Sequence, residues 1–387
     1  MVSFDTVNYA ISGRKTPEAE LSTYLEEIAR DAGFDTHRIA VPNQCADLLI
    51  LFEREASLPW ILFDSHLDTV SVEGMSVDPF TAKIDDGKLF GRGACDTKGS
   101  GAAMFSALAT YADSCRAVSG VSETAAGGYN VMLMYSVDEE QGMSGIREFV
   151  NSYLPVFDKP LAGAIVGEPT RLEAVTAHNG VQRYRIATRG VAAHSADPSN
   201  GRSAISDMAK LIVFLEDEYI PALSSEYEKT GKAQCSINVI RGGSAANIIP
   251  DRCEIVVDRR TVPGESTGEI VGQVRELLRE YAKVNEGVEI EFEAAIETPP
   301  LTPKPDHDFI EAICATIRST GRCGKPVGVR YATHAGDLCV AGVPSVVLGP
   351  GDIDQGHTKD EWIDISELEA AVPLYEKIMR RDAGVWR

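Results

Sequence analysis

Two apolar runs that end in acids constrain this chain more than any other feature. "PWILFDSHLDTV", Pro59 to Val70, and "NVMLMYSVDEE", Asn130 to Glu140, each begin as an unbroken hydrophobic segment without polar alternation. Strands of that kind are buried on both faces, as in an α/β sheet covered by helices. In open sheets of this type ligands collect beyond the carboxyl ends of the strands. Both runs deliver acids there, and the first also delivers His66 with Asp68 two residues on.

The rest of the chain organises around them. "TPEAELSTYLEEIARDAG" predicts a helix, with Thr16 as its cap, Pro17 in the first turn, Leu21, Leu25 and Ile28 as an apolar stripe, and Gly33 as its stop. "ADLLILFE" and "LAGAIVGEPT" predict further strands, the second ending in Glu168, and the Gly-Ala-rich "DTKGSGAAMFSALATYA" predicts a helix able to pack closely on the sheet. From about Val181 to Ala295 the predicted order is strand, helix, strand, strand, helix, strand, the ferredoxin-like arrangement of a self-contained domain. The Pro-rich "ETPPLTPKPD" then leads to a helix, "FIEAICATIRST", and a strand, "PSVVLGPG", expected to rejoin the first sheet. The expected fold is therefore α/β: a helix-covered mixed-sheet catalytic domain, residues 1–179 and 298–387, with an inserted ferredoxin-like β-α-β-β-α-β small domain, residues 180–297. A length of 387 residues suits two cores better than one, and hinges are expected near Asn179 and Pro299.

Charge narrows the partners. With 37 Lys plus Arg against 58 Asp plus Glu, a net charge of -21, the chain lacks the basic face that nucleic acid or an anionic membrane would need. The eight cysteines are scattered without a CxxC pair, so neither a disulfide framework nor a zinc ribbon is indicated, and a reducing cytoplasm is the natural setting. No apolar run approaches the length of a membrane span, and the first residues do not have the pattern of a secretory signal.

Four acid or histidine groups end or follow the predicted strands of the larger domain: His66 with Asp68, Asp96 in "GRGACDTKG", Glu139 with Glu140, and Glu168. His357, in "GPGDIDQGHTKDE", is a fifth candidate far downstream. Singly each has a dull explanation, since a lone histidine is usually a surface or satisfied core residue and paired glutamates usually form a solvated loop. Together, at one sheet edge, they suit two divalent metal ions, zinc first with cobalt or manganese as substitutes. A pair of such ions shares a bridging acid, activates a water and stabilises the oxyanion that forms. Asp68 is expected to accept the second ring N–H of His66 and so fix its orientation.

The ordered motifs "SHLDTV", "DPFTAKIDDGKLFGRGACDTKG", "SVDEEQG", "GEPT", "GVAAHS", "GGSAANIIPDRCEIVVDRR" and "GPGDIDQGHTKDEWI" resemble the dizinc amidohydrolase and exopeptidase family. Acetylornithine deacetylase, succinyl-diaminopimelate desuccinylase, aminoacylase and glutamate carboxypeptidase belong to it, and the resemblance, strongest to the acetylornithine deacetylase branch, runs through nearly the whole chain. It implies that Asp96 bridges the two metals, that His66 and Glu168 complete one site and Glu140 and His357 the other, and that Glu139 is the general base. It implies further that His194 supports the oxyanion from a partner subunit in a homodimer formed through the small domain, and that Asn247 and Arg260 hold the substrate carboxylate. Arg259 is the alternative to Arg260, because strand alternation puts only one of the pair on the ligand face. In "VRYATHAGDLCVAGVPSVVLGPG", which presents Arg330 and Tyr331 as well, His334 or Asp337 is expected to face a substrate amine. Cys95, beside Asp96, reads as packing.

The function these observations imply is hydrolysis of an N-acyl amino acid at its amide bond. A carboxypeptidase or dipeptidase using the same machinery on a short peptide is the alternative. A binding protein that keeps the fold without catalysis is a third reading, disfavoured because every expected position is filled.

Overall fold

The seven residues Trp60–His66 are buried from end to end, as are Asn130–Ser136. In the computed structural model, which describes residues 1–117, 128–303 and 307–380, these two strands pair in parallel at the centre of an eight-stranded sheet. The strand order is Asp35–Ile39, Asp47–Phe52, Asn130–Ser136, Trp60–His66, Leu161–Val166, Ser345–Val347, Val175–His178 and Val327–Val329. The sheet is mixed: the pairings from Asn130–Ser136 through Ser345–Val347 are parallel, and those of Asp47–Phe52 are antiparallel. Register brings the strand ends level, with His66 opposite Ser136 and Asp64 opposite Val166. The residues that follow each strand therefore emerge together, which explains why chemistry spread over a hundred residues of sequence can meet.

Phe63, Leu133, Ile165 and Val346 from the sheet share a buried core with Met104, Leu108, Ile313, Leu374 and Ile378 from helices. The helix Lys98–Ala117 packs on the sheet through small residues. A Cβ at Gly101 would lie 2.8 Å from the Ser65 Oγ and 2.9 Å from the Tyr135 ring, so the close approach depends on that glycine. The first long helix runs Ala19–Asp31 and buries Leu21 and Leu25 as expected, but Thr16 does not cap it. Thr16 lies two residues upstream of the Glu18 cap position with φ +48°, in a turn.

The chain divides into two compact units, Met1–Thr176 with Pro303–Gly328 and Thr333–Arg387, and Ala177–Thr302 with Val329–Ala332. The second unit contains Gly180–Arg189, helix Ala204–Phe214, Gln234–Gly242, Arg252–Thr261, helix Thr267–Val284 and Glu289–Thr298. Its antiparallel sheet has the order Gln234–Gly242, Arg252–Thr261, Gly180–Arg189, Glu289–Thr298, which is the ferredoxin-like topology. Tyr184, Ile186, Ile255 and Val257 meet Met208, Leu211, Val274 and Leu278 in a core of its own. Residues 304–306 of the Pro-rich connection lie outside the described residues.

Several short strands lie outside the elements the sequence predicts, three of them in a small sheet. Lys83–Asp85 and Lys88–Phe90 form a hairpin through Asp86 and Gly87, both at positive φ, and Trp362–Asp364 adds to it. This small sheet ties the chain around residue 360 to the segment that leads into Asp96. Among the described residues no helix is long and apolar enough to cross a membrane.

Gly101→Val is expected to cost about 1–3 kcal/mol through overpacking, measured as a lowered urea midpoint. An unchanged midpoint would mean that the helix and sheet are not held at the separation described.

Candidate metal centre

The carboxylate of Asp96 has two sides in use. Its Oδ1 is 3.0 Å from the Nε2 of His66, and its Oδ2 is 3.3 Å from the Nε2 of His357. Glu168 comes within 3.7 Å of the same His66 nitrogen, and Glu140 within 3.0 Å of the His357 nitrogen. Ligand atoms of His66, Asp96 and Glu168 all lie within 4.8 Å of one another, and so do those of Asp96, Glu140 and His357. Asp96 is common to both groups, and Glu139 belongs to neither.

Electrostatics explains what such a cluster requires. Burial, reinforced by Asp96, holds the Glu168 carboxyl well above its ordinary range. Burial likewise pushes Glu139 up to about 8, the nearby imidazoles of His66 and His334 opposing it and Glu140 and Asp96 adding to it. Hydrogen bonds to Asp96 and Glu140 raise His357 to about 11, and at Asp96 those same contacts with His357 and His66 overcome burial and lower the carboxyl. Four carboxylates and two imidazoles thus share a site whose charge must be balanced by protons or by bound cations. Divalent cations do so better, and a donor set of imidazole and carboxylate suits them.

Backbone anchors hold the acids in place. The His66 Nδ1 is 2.9 Å from the main-chain carbonyl of Asp68, whereas the Asp68 carboxylate lies 3.6 Å away. That carboxylate instead accepts hydrogen bonds from the backbone N–H of Glu139 at 3.0 Å and of Glu140 at 3.1 Å, and from the Asn8 side chain at 2.8 Å. Asp68 therefore joins the first strand end to the paired glutamates. Its carboxyl is held below the usual range, because the His66 imidazole, Asn8 and the Glu139 amide outweigh the burial that would raise it.

A second anchor is absent from the sequence reading. Glu361, fully buried, accepts hydrogen bonds from the backbone N–H groups of Gly93, Cys95 and Asp96 and pairs with Arg92 at 2.8 Å. It fixes the loop that presents Asp96. The signal was the "DG" turn of "KIDDGKLF", which predicts a hairpin and with it an edge to which the chain around Glu361 can pair. Asn8 is the other omission: its side chain donates to Asp68 and to Asp138, and no local pattern marks it.

The remaining candidates are placed as follows. His334 is buried, with Nδ1 2.8 Å from Asp64 Oδ2, and its Nε2 has no hydrogen-bond partner among the described residues. Asp337 lies 3.7 Å from the Arg147 guanidinium, so the expectation that it receives a substrate amine meets a carboxylate already facing a cation of the chain itself. In the second unit His194 is exposed, its Nδ1 accepting from the Ala196 N–H, and Asn247 is exposed, its main-chain carbonyl accepting from Ser195. Arg259 is buried in an ion pair with Glu265 at 2.7 Å, while Arg260 is part-exposed and lines a cavity. Of the two, Arg260 is the arginine with a face left for a ligand. Cys95 is buried, its Sγ 3.3 Å from the Asp352 carbonyl.

A centre of this form, at the carboxyl ends of a mixed sheet with a ferredoxin-like insertion, is that of a metal-dependent hydrolase of amide or peptide bonds. The chain belongs to Peptidase family M20/M25/M40, whose profile matches residues 62–381. An acetylornithine deacetylase of Myxococcus xanthus is 31% identical over 306 residues, spanning 78% of this chain and 75% of that protein. An M20 family metallo-carboxypeptidase from Sulfolobus solfataricus superposes with a TM-score of 0.76 at 17% identity, over 98% of this chain and 96% of the other. A dinuclear metal binding peptidase of the M20 family from Bacillus subtilis gives 0.68 at 14% identity, over 97% and 94%. These two structures establish the fold.

Asp68→Ala leaves two amides without their acceptor and is expected to lower kcat about 10- to 100-fold with metal still bound. Steady-state kinetics beside metal analysis will decide it; wild-type kcat would mean that the clamp is dispensable.

Proposed function

We propose that this chain deacylates N-acyl amino acids, cleaving the amide beside a free carboxylate with two divalent ions in the centre described. The observation that carries the reading is the shared Asp96 with Glu139 left outside both groups, together with the relationship to an acetylornithine deacetylase. His66, Asp96 and Glu168 would hold one ion, and Asp96, Glu140 and His357 the other, with zinc favoured by the donor set over cobalt or manganese. When bound, the pair supplies Lewis acidity for the amide carbonyl and acidifies water.

Glu139 is the general base. Its backbone is fixed through Asp68, and its carboxyl, raised to about 8 by burial, would be drawn down by neighbouring cations toward the range where a base works near neutral pH. It takes a proton from the attacking water and returns it to the leaving amine. Asp68 positions Glu139 and Glu140, and through its carbonyl aims His66. In the second unit, Arg260 and Asn247 take the substrate carboxylate, for which a guanidinium fork is well shaped, and His194 stabilises the oxyanion from a second copy of the chain. Peptide bonds of dipeptides meet the same machinery, and an assay panel of acetyl amino acids and dipeptides separates the two substrate classes. The expected setting is the cytoplasm.

Pairing of two copies through the second unit has a specific support. Gln234–Gly242 is an edge strand, and it exposes Val239 and Ile240, with Ile205 and Ile248 exposed on the same unit. An uncovered apolar edge is a strand-pairing surface. Sedimentation is expected to give a dimer for the wild type and a monomer for Ile240→Lys; a monomeric wild type would remove the proposed role of His194.

Glu139→Ala is expected to abolish turnover while retaining both ions, and chelation followed by zinc should remove and restore activity in the wild type. Normal turnover by Glu139→Ala would refute its role as base, and a zinc-restored wild type inactive on every acyl amino acid and dipeptide would refute the hydrolase.

A further inference from the structure

The second unit contains a cavity of about 260 Å³ lined by Asn179, Lys232, Gln234, Arg260 and Arg330. Three of the five are cations and none is an acid. Local structure explains how they meet. Gln234 and Arg260 are cross-strand partners on adjacent strands, and Lys232, two residues before Gln234, shares its face by alternation. Arg330 arrives from a distant part of the chain. The Asn179 N–H donates to the Val329 carbonyl at 3.3 Å, and the Arg330 guanidinium lies against the turn before Lys232, 3.4 Å from where a Cβ of Gly231 would be. Gly231, at φ +82°, leaves room for that contact.

The charges do not cancel. Asp258, hydrogen-bonded to Arg260 at 2.7 Å, is shared with Arg183 at 2.9 Å, so one carboxylate serves two guanidiniums before Lys232 and Arg330 are counted. Asn179 is buried, and its Oδ1 has no hydrogen-bond partner among the described residues. In a chain of net charge -21, a polar cavity with a surplus of cations is a local reversal of sign. A single substrate carboxylate would occupy Arg260; Lys232 and Arg330 go beyond that need. The carboxylate expected to attract a cationic side chain, Asp337, already faces Arg147.

We infer that this cavity selects substrates with a second carboxylate, and that Lys232 and Arg330 are the residues that read it. The inference rests on the deacylase reading for the identity of the ligand and adds its class: an acidic acyl amino acid rather than one with a cationic side chain. The second carboxylate belongs either to the amino acid or to the acyl group, and the two sources are separable.

Two neutral-for-acid pairs test it: N-acetyl-L-glutamate against N-acetyl-L-glutamine, and N-succinyl-L-leucine against its succinamide analogue. Affinity is measured by calorimetry on metal-loaded Glu139→Ala, and kcat/KM on the zinc-restored wild type. The acidic member of at least one pair is expected to bind about tenfold more tightly or better, and the pair concerned identifies the source. Combining Lys232→Met with Arg330→Met should bring that ratio close to unity, with circular dichroism confirming the fold, and Arg330→Lys should restore part of it. Equal affinities within both pairs, or a preference that survives the double replacement, would overturn the inference. A binding preference without turnover of any compound by the wild type would instead strike the deacylase reading and leave the acidic selectivity in place.

Discussion

Like charges gathered in a poorly solvated pocket repel one another, and everything around this centre follows from that constraint. Asp96, Glu139, Glu140 and Glu168 are crowded about two imidazoles. In a flexible loop the acids would swing apart into water; here they cannot, because each comes from a strand end or from a loop whose amides are tied down. Parallel strands supply the convergence, and two buried carboxylates, Asp68 and Glu361, supply the tether. Both act through backbone N–H groups, leaving the side chains they position open to a ligand.

The two tethers divide the labour. Glu361 fixes the loop of Asp96 and is neutralised by Arg92, so it holds a carboxylate without adding an unpaired charge. Asp68 has Asn8 and two amides as partners. Removing either would leave donors buried and unpaired, at a cost of about 1–3 kcal/mol for each.

Much of this was legible in the sequence, for reasons that can be named. Trp60–Phe63 and Val131–Met134 have no polar alternation, so their double burial follows from hydrophobicity alone, and the site follows from where such strands end. The order of strands and helices from Val181 to Ala295 carries the ferredoxin-like unit in the same way. Less legible were the contacts between segments far apart in the chain. That Asp68 would grip the amides of Glu139 and Glu140, with its own carbonyl serving His66, depends on relative placement to within an ångström. Glu361 and Asn8 carry no periodic signal, and Asp337 faces Arg147, a residue nearly two hundred positions away. Alternation alone does not say which of Arg259 and Arg260 is buried; the ion pair with Glu265 belongs to Arg259.

The spacing of those contacts has a consequence for how the protein is made. Asn8 reaches Asp138 across 130 residues, and Glu361 reaches the Asp96 amide across 265. A chain that leaves the ribosome from its amino end first presents Asn8 and Asp68 ahead of the glutamates that Asp68 holds, but Asp96 long before Glu361, which pins its loop. Until His357 and Glu361 have been synthesised, the second ligand group lacks its histidine and the loop of Asp96 lacks its anchor. The group of His66, Asp96 and Glu168 is complete in sequence by residue 168, whereas the group of Asp96, Glu140 and His357 waits for the end of the chain.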